Sequence, residues 1–196
     1  MLTRLVVASA LLFLALPLAH AQIAVYSTFS ANHLSGVDTG VTYTPNAFQT
    51  NTTSFFANGF GAGVTLNFLH LGPASLGFDA RGSFSSGTPS AKSALGGVKL
   101  GFHPAHTRIK PYVQVSAGYV QTHTAYRGTD PPSQTVTNNY GTYEFIGGLD
   151  YSVVHSIDFR VIELGVGRTF APSIDFSSTG GNATLFSINS GLVFHF

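Results

Sequence analysis

The sequence predicts an all-β fold: eight antiparallel strands closed into an up-and-down transmembrane β-barrel with short periplasmic turns and longer extracellular loops. Three observations predict it. Charged residues make up 9% of the 196, against roughly 25% in an ordinary soluble domain, so there is too little charge to coat a water-exposed surface. Hydrophobic residues make up 44%, yet beyond residue 21 no apolar run approaches the roughly 20 residues of a membrane-spanning helix. Instead, stretches of about ten residues alternate apolar with polar side chains, the pattern of strands with one face toward lipid and the other toward a lumen. A bilayer leaves no backbone polar group unpaired, so a sheet that crosses it must close on itself.

The same arithmetic excludes other classes. Aromatic content of 13% is far above that of a chain without a core. A net charge of +1 supplies no basic stripe for nucleic acid, so no nucleic-acid partner is expected. With no Cys, disulfides, thiolate metal sites and thiol catalysis are all absent. Residues 1–21 carry a short basic start at Arg4, an apolar run from Leu5 to Leu18 and Ala19-His20-Ala21. That small-x-small pattern predicts a cleaved export signal, and the run of about 14 residues is too short for a spanning helix. Its removal leaves one domain, 22–196, with 16 charged side chains.

Each strand follows from its alternation. The first, near Ile23–Ser30, is the least regular. The second is the clearest: Phe60, Ala62, Val64, Leu66 and Phe68 oppose Gly59, Gly61, Gly63, Thr65 and Asn67. The third sets Leu76, Phe78, Ala80 and Phe84 against Gly77, Asp79, Arg81 and Ser83, and the fourth sets Ala94, Gly96, Val98, Leu100 and Phe102 against Gly97, Lys99 and Gly101. In the fifth, Pro111, Val113, Val115, Ala117 and Tyr119 oppose Tyr112, Gln114, Ser116 and Gly118. The sixth sets Tyr143, Phe145, Leu149, Tyr151 and Val153 against Thr142, Glu144, Gly148, Asp150 and Ser152. The seventh begins with Ile157, Phe159 and Val161 opposite Asp158 and Arg160, then changes phase, with Ile162, Leu164 and Val166 apolar. A β-bulge near Val161-Ile162 restores the apolar face. The eighth sets Phe186, Ile188, Leu192 and Phe194 against Ser187, Asn189, Gly191 and His195.

The connections after the second, fourth and sixth strands are short, whereas those at about 34–54, 124–139 and 169–182 are long and polar. The link near 86–92 is the short exception. This asymmetry places both termini on the periplasmic side.

The chain ends Asn189-Ser190-Gly191-Leu192-Val193-Phe194-His195-Phe196. This segment resembles the C-terminal insertion signal of bacterial outer-membrane barrels, with Asn189, Gly191, Phe194 and Phe196 at the anchor positions. Residues 22–196 as a whole resemble the small eight-stranded barrels of the OmpA/OmpX type. The resemblance implies residence in the outer membrane of a Gram-negative-type bacterium. It also implies two partners: outer-membrane lipids, and the insertion machinery that would read the terminal signal during assembly. Such barrels usually carry Trp at the membrane interfaces, and this chain has none; Tyr119, Tyr143 and Tyr151 are able to take that place. A soluble barrel with its apolar face inward, of the lipocalin kind, has identical alternation. It would leave its surface to 16 charges, so the outward apolar face is preferred.

By this register Asp79, Arg81, Lys99, Glu144, Asp150, Asp158, Arg160 and Glu163 all point inward, half of the mature chain's charges. Enclosed charges must be paired, and an eight-stranded lumen is just wide enough for side chains to fill. A plugged lumen is expected, with a small gated porin as the alternative. The function expected is structural or surface-interacting, with any glycan or protein ligand bound at the outer loops. No catalytic, cofactor or metal residue is assigned. A lipid A-modifying enzyme is the lesser alternative: His33 and His123 alone lie near the outer rim, without a matching Ser and acid context. His103 and His106 have ligand-like spacing, but they straddle Pro104 in a turn and lack a third ligand.

Overall fold

The computed structural model describes residues 22–44, 47–86, 89–126, 134–170 and 183–196. The expected export signal lies outside them, as does nearly all of the 169–182 connection. Eight strands form: β1 (Gln22–Thr44), β2 (Ala47–Leu71), β3 (Ala74–Ser85), β4 (Ser90–Phe102), β5 (Ile109–Tyr126), β6 (Gln134–Val154), β7 (Ile157–Phe170) and β8 (Thr184–His195). Each pairs with its sequence neighbours, and β8 pairs with β1, so the sheet is a closed barrel. Every ladder is antiparallel.

The register fixes the barrel's shape. Ala24 pairs with Thr65, and the same row continues through Asp79, Gly97, Ser116, Glu144, Gly167 and Leu185. From Leu185 it returns to β1 at Leu34, ten residues beyond its start. A stagger of that size tilts the strands by about 40° from the barrel axis and leaves an interior that side chains can fill.

The start of β1 and the C-terminal Phe196 lie at one end, together with three short turns. Gly72, between β2 and β3, has φ +58°, a left-handed conformation that costs glycine little. His155-Ser156 joins β6 to β7. Residues 103–108 join β4 to β5, where Thr107 donates its hydroxyl to the Pro104 carbonyl at 3.2 Å.

Along each strand, buried and exposed positions alternate, and the apolar set is the exposed one. Phe29, Phe60, Phe78, Val98, Val115, Phe145, Val166 and Ile188, one from each strand, all face outward. The soluble alternative is thereby excluded by the wall itself. Phe29, Phe60 and Phe84 form an aromatic row across β1, β2 and β3, with ring centroids 5.7 and 6.3 Å apart. Tyr119, Tyr143 and Tyr151 are exposed on the same outer face.

Bulges adjust this alternation at defined points. In β7, Leu149 pairs with Ile162 and Asp150 with Arg160, so Val161 is the inserted residue, at the expected site. Arg160 and Glu163 thus both face inward although they stand three positions apart. A second bulge, at Phe68 in β2, and a third, at Gly36 in β1, were not expected. Gly36 has φ +82°, and its insertion turns both Leu34 and Val37 inward, where they are buried.

The long connections need correction. Residues 34–54 are not a loop, because β1 and β2 remain paired out to Thr44 and Ala47. The first strand therefore runs far past Ser30. Likewise β5 and β6 pair out to Tyr126 and Gln134 within the expected 124–139 loop. A ladder that rises past the apolar belt meets water on its outer face, so it keeps its hydrogen bonds while losing the apolar alternation that marks a strand in sequence.

The β7 bulge is testable. Deletion of Val161 removes the inserted residue and forces either Arg160 or Glu163 to the outer face. Loss of the buried ion pairs costs about 3–5 kcal/mol, and a cation amid the apolar belt costs about 2–4 kcal/mol more. The variant should give little or no heat-modifiable band when unheated and boiled samples are compared by gel mobility.

A cross-braced lumen as the candidate functional site

Polar positions of all eight strands meet in one layer of hydrogen bonds and ion pairs across the middle of the lumen. Glu163 on β7 is its centre. It accepts from Arg81 Nη1 at 2.7 Å, Arg160 Nη1 at 3.0 Å, Asn189 Nδ2 at 2.9 Å and the Tyr112 hydroxyl at 2.5 Å. Asp79 on β3 is the second centre. Its acceptors take Arg81 Nε at 2.9 Å, Thr65 Oγ1 at 2.8 Å, Gln114 Nε2 at 2.8 Å and the Tyr26 hydroxyl at 3.0 Å.

Arg160 joins this pair to β6 by donating Nε to Asp150 Oδ1 at 3.0 Å. Lys99 on β4 lies 3.7 Å from the same carboxylate and 3.8 Å above the Tyr112 ring centroid. The Arg160 guanidinium sits 4.4 Å from the Tyr26 ring centroid and 5.0 Å from that of Tyr112. Two aromatic faces thus hold cations that have lost much of their water.

The two tyrosines of this layer fit because their partners across the ladder are glycines. Tyr26 pairs with Gly63 and Tyr112 with Gly148. A Cβ at either glycine would overlap the facing ring.

Six of the eight expected lumen charges belong to this layer: Asp79, Arg81, Lys99, Asp150, Arg160 and Glu163. Asp158 does not. It forms a separate cluster nearer the termini, accepting from Lys110 at 2.8 Å and Ser152 at 2.8 Å and lying 2.7 Å from His195 Nε2. In the neighbouring turn, burial and the nearby Lys110 hold the His103 imidazole below its ordinary pKa. Glu144 is buried and lines the same chamber as Arg81 and Glu163, but no hydrogen bond or ion pair joins it to either cluster among the described residues.

Above the ionic layer, away from the termini, the interior changes character. Leu34, Val37, Phe55, Ala57, Val120, Ala183 and Leu185 pack as a buried apolar cluster. Between this cap and the ionic layer lies a chamber of about 50 Å³. A smaller cavity of about 30 Å³ lies below the layer, and a wide mouth of about 720 Å³ opens at the termini end.

Of the C-terminal anchor residues, Asn189 points into the lumen and binds Glu163. Gly191 leaves room for the Ser27 carbonyl of β1. Phe194 and Phe196 are exposed on the outer wall, and Phe196 N donates to the Ile23 carbonyl at 2.9 Å. His33 stacks against Phe56, with ring centroids 4.4 Å apart.

Sequence reasoning missed several members of the site. Tyr26, Thr65, Lys110 and His195 occupy the polar phase of their strands, and that phase is the signal that points to them. Lys110 lies two residues before Tyr112 and its ammonium faces Asp158. The apolar cap had no such signal, because Leu34, Val37 and Phe55 fall where the strand pattern fades.

Glu163→Ala would leave two guanidinium groups short of their shared acceptor, and the expected loss of unfolding stability is about 3–5 kcal/mol. Asp158→Asn, at the wetter mouth and keeping hydrogen-bonding capacity, should cost far less. Urea or thermal unfolding of the refolded variants in detergent measures both; equal losses would contradict the central role given to Glu163.

No family model matches the sequence, and no curated protein does. Among solved structures the fold is similar to that of Ail, the attachment invasion locus protein of Yersinia pestis, with TM-score 0.50 at 10% identity over 90% of this chain and 97% of that one. Neisserial surface protein A aligns with TM-score 0.46 at 13% identity, covering 88% of this chain and 99% of that one. The N-terminal β-barrel domain of Pseudomonas aeruginosa OprF aligns with TM-score 0.47 at 10% identity, covering 89% and 97%. The chain therefore has the fold of the small eight-stranded outer-membrane β-barrels.

Proposed function

We propose that this protein is a structural or surface-interaction barrel of the outer membrane of a Gram-negative-type bacterium, with its lumen plugged. The reading rests on the layer that ties all eight strands together around Glu163 and Asp79. A wall that is apolar outside, with an interior of paired charges inside, suits a bilayer and leaves no continuous aqueous path. Residues 1–21 direct export, outer-membrane lipids contact the apolar wall, and the termini lie in the periplasm. We assign no catalytic step to it.

The β1–β2 and β5–β6 hairpins continue as paired ladders at the far end. They offer a surface glycan or protein a rigid β-platform, where specific recognition would reside. Asn189, Gly191, Phe194 and Phe196 act as the insertion signal, and the position of β8 at the closing seam with β1 suits a strand that is paired last.

Two measurements test this reading. In planar bilayers the refolded protein should show no frequent, stable open level; such levels would replace the plugged barrel with a small gated porin. Deletion of Phe196 should lower the amount of folded protein in the outer-membrane fraction several-fold while leaving refolding in detergent nearly unchanged. Normal membrane levels would remove the insertion signal from the account.

A further inference from the structure

Histidine is concentrated at one end of the barrel. Of the eight in the sequence, His20 belongs to the expected signal, while His70, His103, His106, His155 and His195 all lie at the end that holds the start of β1 and Phe196. Each of the three short turns carries or adjoins at least one. Backbone bonds lace these turns into a single surface: His103 N donates to the Pro73 carbonyl at 2.5 Å, Ser152 N to that of Arg108 at 2.8 Å, and His195 N to that of Ser156 at 2.9 Å. His106 has φ +66°, the one positive value at a residue other than glycine among the described residues. Glycine takes that conformation at less cost, so the turn holds an imidazole where the backbone favours no side chain.

The fixed charges at this end nearly cancel. Arg108 and Lys110, joined by the Gln22 amine once residues 1–21 are removed, stand against Asp158 and the Phe196 carboxylate. Asp158 is the only side-chain carboxylate here among the described residues, and it accepts from Lys110 and Ser152 at 2.8 Å. What can change the charge is imidazole, the side chain that gains a proton in mild acid. Burial first, and Lys110 next, hold the His103 ring below its ordinary pKa, and Asp158, Lys99 and His195 also act on it. It therefore charges at a more acidic pH than an ordinary histidine. Full protonation surrounds a mouth of about 720 Å³, lined by His103, His155, His195, Arg108 and Lys110, with a ring of positive charge.

We propose that this end is a proton-gated docking face for a carboxylate-bearing polymer, which it takes up when its histidines are charged in mild acid and releases near neutrality. The contact it would repeat is already built into it: His195 Nε2 lies 2.7 Å from Asp158 Oδ2. The exposed apolar wall reaches Leu71, Phe102 and Val154 beside the turns, so the histidines stand past its edge, toward water. A lipid headgroup would meet that wall from the side, whereas a polymer beneath the mouth meets the whole ring. Weak contacts along one chain reinforce each other, because the first holds the next close to its site. That the polymer is periplasmic rests on the sidedness proposed above; its binding does not.

The test measures binding of a short fluorescent poly-L-glutamate to the refolded protein in phosphatidylcholine nanodiscs. It compares about pH 5.5 with about pH 7.5 at fixed ionic strength, a range over which imidazole titrates and the probe's carboxylates stay ionised. Binding should be several-fold tighter in acid. The combined variant His70→Gln, His106→Asn and His155→Gln removes three exposed rings that make no hydrogen bond among the described residues, and asparagine tolerates the left-handed turn. It should keep the melting temperature and lose most of the pH dependence, while Arg108→Gln should weaken binding at both pH values. Equal wild-type affinity at the two pH values, or undiminished pH dependence in the triple variant, would overturn the proposal. So would a melting temperature raised in acid by phosphatidylglycerol nanodiscs and not in the triple variant, which would assign the face to the bilayer. None of these outcomes depends on whether the lumen conducts, so this proposal and the plugged-barrel reading fail separately.

Discussion

An ionised group enclosed in a narrow barrel has to find its counter-charge on the opposite wall, and most of this structure follows from that requirement. Glu163 draws on β3, β5, β8 and its own strand for four donors. The backbone ladder binds each strand only to its neighbours, whereas these side chains bind strands that face each other across the lumen. Replacing such a network with apolar side chains of equal volume is often neutral or better for stability. What the charges add here is a single registry: shifting one strand by a residue turns its polar set toward the outer face and breaks contacts on several others.

The geometry of the wall serves the same end. A ten-residue stagger brings Asp79, Glu144 and Gly167 into one row of the ladder, so groups far apart in sequence face a common space. The Val161 insertion then places Arg160 and Glu163 on that side together, a spacing that regular alternation forbids. The Gly36 insertion does the same for Leu34 and Val37 at the far end. Gly63 and Gly148 give up side chains so that Tyr26 and Tyr112 can lie flat within the bore. Tyrosine and glycine together fill about what two mid-sized residues would, but the arrangement puts a hydroxyl at the centre of the lumen and an aromatic face beneath a cation.

Much of this was legible because lipid-facing and lumen-facing residues differ so sharply in chemistry. Phe60 through Phe84 and Ile157 through Val166 announce their strands, and the phase change at Val161-Ile162 announces the bulge. The eight inward charges follow from the same period of two. Which charge meets which did not follow, since partners are set by stagger and not by sequence distance: Arg81 and Glu163 stand 82 residues apart. Nor did the ladders of β1 and β2 beyond Ser35, where the sequence loses its regular alternation and only backbone pairing defines the strand. The apolar cap was hidden for that reason, as Leu34, Val37 and Phe55 carry no alternation around them.

That hidden cap bears on the plugged lumen proposed above. An ionic layer alone can in principle open by exchanging partners, with Arg81 moving from one carboxylate to another while the charges stay paired. Such a rearrangement would connect the mouth at the termini to the chamber above the layer, beyond which Leu34, Val37, Phe55, Val120 and Leu185 pack as the apolar cap. Ion pairs yield to charge and hydrogen-bond exchange; packed aliphatic side chains yield to displacement of the hairpins that carry them. Two layers of opposite chemistry, stacked along one axis, do not yield to the same stimulus, and this is the physical basis of the plugged lumen proposed above.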